Sequence, residues 1–496
     1  MKIRRLITIC ALLALLVCLF SCEKQDELPS DTTPPGSEEK TDELQETERE
    51  ELEECPSPDD HEYAEESRVD ALALKEGEIK YGCTKCKSEY TESIPATKSL
   101  KILALGNSFT DDSTWHLWNI CKSAGVEEVI VGNLYVGNCT LDQHWSYIST
   151  SKNPYIYRKT TDGKRIDNEN FRAVDALQDE DWDFIVLHQT SGSAGQASTY
   201  SKLSFIFKFI EAKATNPNVK VIWHMPWAYQ GDSTHAEFPK YDRDQQKMYE
   251  TIVARVQEII IPEDKISAII PSGTAIQNLR TSYVGDNVTR DGYHLNYGFG
   301  RYTAGLTWYA VLTGGDVDAP DWIPPEYPEV AAYLSAIREA VKGAMENNFS
   351  VTPSKIKTAE DGFDLSGYEL LEWNYNKNGW WNCKDSLTIT YPSSTNGTYN
   401  QNICTDRKYS IEELPVGTIF VCDYGWRVRI EQYPTENEKY EGARHGGCIY
   451  PFFVLSEEFL NGCTYVAWSV SSWPKTDISA DFDAAYPHVR VYVPVN

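Results

Sequence analysis

The chain has 496 residues, of which 41% are hydrophobic, 24% charged and 12% aromatic; at roughly 150 residues per domain this is about three domains of soluble globular composition, which excludes collagen-like, wholly disordered and multi-span membrane chains. Lys+Arg 46 against Asp+Glu 74 gives a formal net charge of −28. A surface that acidic repels a phosphate backbone, so no nucleic-acid partner is expected.

The first residues, MKIRRLITICALLALLVCLFSC, place Lys2, Arg4 and Arg5 before an apolar run from Leu6 to Phe20, the pattern of a secretory signal. The run is short for a membrane span of about 20 residues. It ends in Leu19-Phe20-Ser21-Cys22, which resembles the lipobox of bacterial lipoproteins, cleaved before a Cys that then carries acyl chains. Residues 1–21 are therefore expected to be a lipoprotein signal peptide and Cys22 the lipidation site; a transmembrane anchor and an ordinary signal peptide are the competing readings. Glu23-Lys24-Gln25-Asp26-Glu27 is similar to the acidic export signals of surface lipoproteins. The expected location is the bacterial outer membrane or cell surface, with a lipid anchor in the membrane as one partner. Between Glu23 and Glu66 there are 19 acidic and 3 basic residues and few large apolar ones. Such a chain repels itself and has little to bury, so residues 22–54 read as an acidic disordered tether.

Residues 55–98 read as a small Cys-containing module. Cys83-Thr-Lys-Cys86 has the spacing with which two thiolates grip one tetrahedral ion, and Cys55 and His61 upstream could complete the set. A structural zinc, a local disulfide and unpaired thiols all fit, and none implies catalysis. The stretch YGCTKCKSEYTESIPA resembles a short repeat of bacterial surface proteins in which a CxxC knuckle precedes a YTExIPA tail.

From 99 to 350 apolar strands alternate with amphipathic helices. KILALGNS, EEVIVGNLYVG, WDFIVLHQ, KVIWHMP and KISAIIPSG read as strands; DSTWHLWNICKSAG, FRAVDALQDED and the later VAAYLSAIREAVKGAMENN read as helices. This is a doubly wound α/β layer with a parallel sheet, whose functional loops lie at the carboxyl ends of its strands. In Gly106-Asn107-Ser108-Phe109 a serine follows a buried strand directly and opens a helix, which presents its hydroxyl and its own N–H together. Alone, such a serine is an ordinary helix cap. The layer offers His116, His144, His188, His224, His235 and His294 as bases, and one of these has a carboxylate at useful spacing. In Asp291-Gly292-Tyr293-His294 the acid stands three residues before the imidazole, so one turn lets it hold the Nδ1 proton while Nε2 faces the serine.

These residues resemble the SGNH (GDSL-like) esterase and lipase family, whose nucleophile block follows the first strand and whose last block is Asp-x-x-His. The resemblance covers Lys101 to Gly315. GNSFTDD matches the first block, with Asn107 where the founding motif has Asp, and RDGYHLN matches the last. It is similar to a branch with GNSF, an HQ-type third block and P-x-GTA, here Pro271, Gly273, Thr274 and Ala275. The resemblance implies a three-layer αβα flavodoxin-like fold and an acyl-enzyme mechanism with Ser108 as nucleophile, His294 as base and Asp291 as its orienter. No metal or organic cofactor is implied for catalysis. It also implies an oxyanion hole made by Ser108, by a glycine N–H after the second strand, Gly137, and by an amide after the third. The usual GxND block is absent, so the amide falls to Gln189 in His188-Gln189-Thr190-Ser191-Gly192; a strand-end hydrogen-bonding role without chemistry fits Gln189 equally. The implied activity is hydrolysis of carboxylic esters, with O-acetyl groups on an acylated carbohydrate as substrate. The alternative is a non-catalytic cell-surface glycan-binding lipoprotein.

Residues 351–496 change character. SLTITYP, GTIFVCD, WRVRIEQY, TYVAWSVS and VRVYVPV, separated by Gly, Pro and Asn, read as a β-sandwich-like accessory domain. Its Cys383, Cys404, Cys422, Cys448 and Cys463 have no metal-type spacing. Its Trp373, Trp380, Trp381, Trp426, Trp468 and Trp473 suit either a core or a sugar-stacking face, and for any single Trp the core is favoured.

Overall fold

The computed structural model describes residues 60–327, 330–362, 365–377, 380–381, 389–390, 402–423, 426–436, 452–472 and 488–495. The signal peptide, Cys22, the tether, Cys55, Cys383, Cys448 and Trp473 lie outside the described residues. Among those described, no helix is long and apolar enough to cross a membrane.

An antiparallel sheet comes first: β1 (Tyr63–Val69), β2 (Gly77–Cys83) and β3 (Glu89–Ile94), in that order. Every residue of β1 is exposed, as is all of β3 but Ile94. The connector Leu72-Ala73-Leu74 instead turns inward. Ala73 is buried in the core of the following layer, and the Leu74 N–H donates to the Thr313 carbonyl at 2.9 Å.

The layer runs β4 (Ser99–Gly106), α1 (Ser108–Thr114), α2 (Leu117–Ser123), β5 (Glu128–Tyr135), α3 (Leu141–Ser149), β6 (Tyr155–Thr161), β7 (Lys164–Phe171), α4 (Ala173–Leu177), β8 (Phe184–Leu187), α5 (Leu203–Lys213), β9 (Lys220–His224), α6 (Gln245–Arg255), β10 (Ile266–Ile270), α7 (Ser272–Arg280), α8 (Phe299–Thr313) and α9 (Val330–Glu346). Its seven strands lie in the order β10-β9-β8-β4-β5-β6-β7. The first five are parallel, and read from β4 they give the 2-1-3-4-5 doubly wound order. Near-continuous burial along β4, β5, β8 and β9 shows that both faces of the sheet are covered. Helices α1, α2, α7, α8 and α9 pack on one another, as do α3, α4 and α5.

Two details depart from the sequence reading. The sheet is not wholly parallel, because β6 and β7 form an antiparallel hairpin on its edge. Thr161 pairs with Lys164 across Asp162-Gly163, both at positive φ (50° and 73°), which is the two-residue turn that matches strand twist. The helix expected over DSTWHLWNICKSAG is two helices broken at Trp115-His116. Ser113 and Thr114 hydroxyls donate back to the Phe109 and Thr110 carbonyls, which loosens the turn. His116 Nε2 leaves the helix to hydrogen-bond the Tyr297 carbonyl at 2.9 Å.

Among the described residues the C-terminal region has two larger antiparallel sheets, beside the short antiparallel pair Trp380–Trp381 and Ile389–Thr390. Tyr368–Leu370, Val489–Pro494, Ile419–Cys422 and Phe452–Val454 form one; Tyr375–Lys377, Asn402–Thr405, Tyr465–Ser472, Tyr409–Ser410 and Trp426–Tyr433 form the other. Phe420 and Val491 of the first share a core with Val428, Ile430 and Trp468 of the second, which makes a sandwich. Trp373, Trp426 and Trp468 are all buried in that core. They offer no sugar-stacking face.

Candidate active site

Ser108 sits at the switch point of the sheet. Strand β4 has β5 on one side and β8 on the other, and the loops after all three meet at its carboxyl end. Asn107 caps α1: its Oδ1 accepts the Phe109 N–H at 3.0 Å, and its Nδ2 donates to the Cys139 carbonyl at 3.3 Å. Asn107 therefore ties the serine loop to the turn after β5. Ser108 occupies the first helical position, so its N–H has no acceptor within the helix.

The structure brings Ser108, His294 and Asp291 together across 186 positions of chain. His294 Nε2 lies 2.8 Å from Ser108 Oγ, and Nδ1 lies 2.7 Å from Asp291 Oδ2. The other carboxylate oxygen, Oδ1, accepts the His294 N–H at 2.8 Å and the Tyr293 N–H at 3.3 Å. Partial burial works against the ionised form of Asp291, but the bonds from the His294 ring and from these backbone N–H groups outweigh it and hold the carboxyl below its ordinary value. The fold-back needs Gly292, whose φ of 88° is left-handed. Gln230 N–H donates to the Gly292 carbonyl at 2.8 Å and fixes the loop from outside. Phe109, stacked on Trp227 at 4.2 Å, and Tyr293, 4.1 Å from the imidazole centroid, wall in His294.

Sequence reasoning missed what holds the two halves in register. Asp112, one turn after Ser108 and 1% exposed, accepts the Leu295 N–H at 2.9 Å. It also takes Arg290 Nη1 at 3.0 and 3.1 Å and Arg301 Nε at 2.8 Å. Burial raises its carboxyl above the ordinary value, and the Arg301 and Arg290 guanidiniums pull the other way. One carboxylate on the serine's helix thus fastens the residue next to His294. The second Asp of GNSFTDD and the Arg of RDGYHLN were the available signal.

Gly137 lies in the turn after β5. The Val136 N–H donates to the Gly106 carbonyl at 3.2 Å, and among the described residues the Gly137 N–H has no hydrogen-bond partner. Gln189 makes the strand-end hydrogen bonds that are the other reading of it. It is fully buried; its Oε1 accepts the Leu141 N–H at 3.2 Å and the Thr190 N–H at 2.9 Å, and its Nε2 donates to the Thr199 carbonyl at 2.8 Å. Its amide braces the loops beside Gly137. Thr190 Oγ1 in turn donates to Asn138 Oδ1 at 2.9 Å.

His235 is partly buried, with its ring 4.5 Å from that of Tyr293, and the other four histidines of the layer are built into the interior. Thr110 Oγ1 and His188 Nε2 are 2.7 Å apart, and His144 Nδ1 is 3.0 Å from the Tyr155 hydroxyl. Burial pushes His116 and His188 down to about 4 and His144 to about 3, and carries His224 well below its ordinary value. Each is neutral. Among the described residues of this layer, His294 alone pairs with a carboxylate. Away from these groups, His61, Cys83 and Cys86 place their ligand atoms within 4.8 Å of one another.

Fold and site together define an α/β layer with a hydrogen-bonded Ser-His-Asp set at the carboxyl end of its central strand. A family model described as a domain of unknown function, DUF4886, matches residues 101–340. A DUF4886 family protein from Bacteroides uniformis of known crystal structure is 35% identical, over 51% of this chain and 97% of that one, with a TM-score of 0.49. The chain belongs to the DUF4886 family. It is also similar to an acetyl xylan esterase (14% identity, 43% of this chain and 100% of that one, TM-score 0.28) and to a two-domain esterase active on acetylated mannans (8% identity, 80% and 89%, TM-score 0.25). No curated protein matches it.

Proposed function

We propose that the protein is a serine ester hydrolase of SGNH type. The observation that carries this is the unbroken relay Asp291 Oδ2, His294 Nδ1, His294 Nε2, Ser108 Oγ, at 2.7 and 2.8 Å. His294 takes the Ser108 proton as Oγ attacks the ester carbonyl, Asp291 remains ionised and fixes the imidazole, and the Ser108 and Gly137 N–H groups receive the developing oxyanion. His294 then returns the proton to the leaving alcohol, and water attacks the acyl-enzyme by the reverse route. All of these steps are carried by the chain's own groups.

For the substrate we propose O-acetyl groups on carbohydrate. Two half-exposed rings, Trp115 after α1 and Tyr297 three residues beyond His294, flank Arg301, whose guanidinium carbon lies 4.4 and 4.7 Å from their centroids. Arg301 is itself buried on Asp112, so it fixes the two rings rather than facing solvent, and exposed aromatic surface of this kind suits a polyhydroxylated ring. The proposed location, lipid-anchored through Cys22 at the bacterial outer membrane or cell surface, rests on the export pattern, and incorporation of labelled fatty acid that persists in Cys22→Ala would refute it. Turnover of an aryl acetate by the purified protein, lost in Ser108→Ala with thermal unfolding unchanged, is the expected result. Equal turnover in that variant would refute the mechanism, and absence of turnover in the wild type would leave glycan binding as the function.

A further inference from the structure

The sheet β1–β3 has no buried apolar core: what crosses it is a surface set of rings, Tyr63, Tyr81 and Tyr90 with centroids 4.7 and 4.8 Å apart, and the exposed pairs of Lys80 with Glu66 and Glu89. A three-stranded sheet is independently stable only when one face is apolar, yet β1 is exposed throughout and β3 exposed up to its last residue. Its buried residues are Gly77 at the start of β2, Gly82 and Cys83 at its end, and Cys86 in the turn that follows, so the only buried side chains beyond glycine are the two cysteines, at one end. No side chain from 61 to 71 or from 75 to 94 belongs to a hydrophobic cluster of the described residues. Small domains without a core are usually stapled by disulfides or by a metal.

The buried end has the chemistry of a metal knuckle. His61 Nδ1 is 3.3 Å from Cys86 Sγ, and the ligand atoms of His61, Cys83 and Cys86 lie within 4.8 Å of one another. With Zn–S of about 2.3 Å and Zn–N of about 2.0 Å, a tetrahedral ion sets its ligand atoms about 3.5–3.8 Å apart, so little movement is needed. Each sulfur also accepts a backbone N–H two residues on, Lys85 to Cys83 at 3.4 Å and Ser88 to Cys86 at 3.4 Å. Such bonds orient thiolates and disperse their charge, as the partners around a metal ligand do. The strand geometry brings the histidine in: the Thr84 N–H donates to the Glu62 carbonyl at 2.8 Å, and the Cys83 N–H to the Ser88 carbonyl at 2.9 Å. These bonds close the start of β1 over the CxxC turn.

We infer that His61, Cys83 and Cys86 form a structural zinc site that replaces the missing core of the β1–β3 sheet. Two thiolates and an imidazole select a borderline-soft tetrahedral ion over magnesium or calcium. The three donors fill three of its four positions. The site is separate from the Ser108 chemistry, so its loss loosens the sheet and leaves ester turnover in place.

The test uses the full chain purified without chelator. Elemental analysis is expected to find about one zinc per chain, falling about ten-fold or more in Cys83→Ser/Cys86→Ser. Exchange into cobalt(II) is expected to give thiolate charge-transfer absorption and tetrahedral d–d bands in the wild type. Chelation is expected to speed proteolysis between residues 61 and 94 about ten-fold while aryl acetate turnover stays unchanged, a readout independent of the serine mechanism. A wild-type protein without zinc that gives no cobalt spectrum, or one isolated with a Cys83–Cys86 disulfide, would overturn the inference.

Discussion

Asp112→Asn is the perturbation that best separates the machinery from its support. The carboxylate touches no reacting atom; it spans from the serine's helix to the Leu295 N–H and to two guanidiniums, at 2.8–3.1 Å. Asparagine keeps the shape and one acceptor but leaves Arg290 and Arg301 without their shared negative charge. Removing one partner from a buried ion cluster costs about 3–5 kcal/mol, and the retained acceptor argues for the lower end. For a layer of this size about 3 kcal/mol lowers Tm by roughly 6–12 °C. Because Leu295 is covalently next to His294, the release also shifts the imidazole against Ser108, and a displacement near 1 Å costs about 100-fold in rate. The assay is kcat on an aryl acetate well below the lowered Tm, beside a thermal melt. The expected pattern is a large loss in kcat with KM little changed, and a lower melting temperature. Wild-type kcat and Tm together would show that the clamp carries neither register nor stability.

Asp291→Asn should keep the fold and lower kcat by roughly 10²–10⁴, since the amide no longer holds the productive imidazole tautomer; activity within a few-fold of wild type would remove Asp291 from the relay. The interior histidines predict a pH dependence of stability. His116 and His188 titrate at about 4 and His144 at about 3 in the folded chain, against an ordinary value of 6.5. Their folded values are depressed, so the stability that they allow is complete above pH 6.5 and is lost as pH falls towards 4. Between pH 7.5 and pH 5 the loss is about 2 kcal/mol per histidine, read as a lower denaturant midpoint. His188→Gln should flatten that dependence, and an equally steep slope in the variant would refute the assignment.

What could be read from the residues alone was what repeats locally. The five parallel strands announced themselves as apolar runs because both faces of the sheet are covered, and Val330–Glu346 announced itself by helical spacing. The sandwich strands Trp426–Tyr433 and Tyr465–Ser472 fall within a residue of their expected places because alternation marks them. The hairpin β6–β7 was missed although Asp162-Gly163 is a strong turn signal. Its flanks, YIYRKTT and KRIDNENF, are too polar to look like part of a core sheet. The second of them, β7, is the exposed edge, where charge rather than burial keeps the strand from pairing further.

The site divides along the same line. Ser108 and the pair Asp291/His294 were legible because each motif carries its requirement within a few residues: a serine at a strand-to-helix turn, an acid one turn before an imidazole. The role of Gln189 was not legible, because residue type after a strand says nothing about which way the amide is already committed, and here three backbone groups bond it. Asp112 was invisible for the converse reason. Its partners, Arg290, Leu295 and Arg301, lie about 180 positions away, and only folding makes them neighbours. The same contrast explains how Ser108 and His294 can meet at all. The parallel sheet supplies a common edge, but a common edge leaves several ångströms of freedom between two loops. The buried carboxylate removes that freedom, anchoring the serine's helix to the backbone atom beside the imidazole, so the accuracy of the relay is set by a residue that takes no part in it.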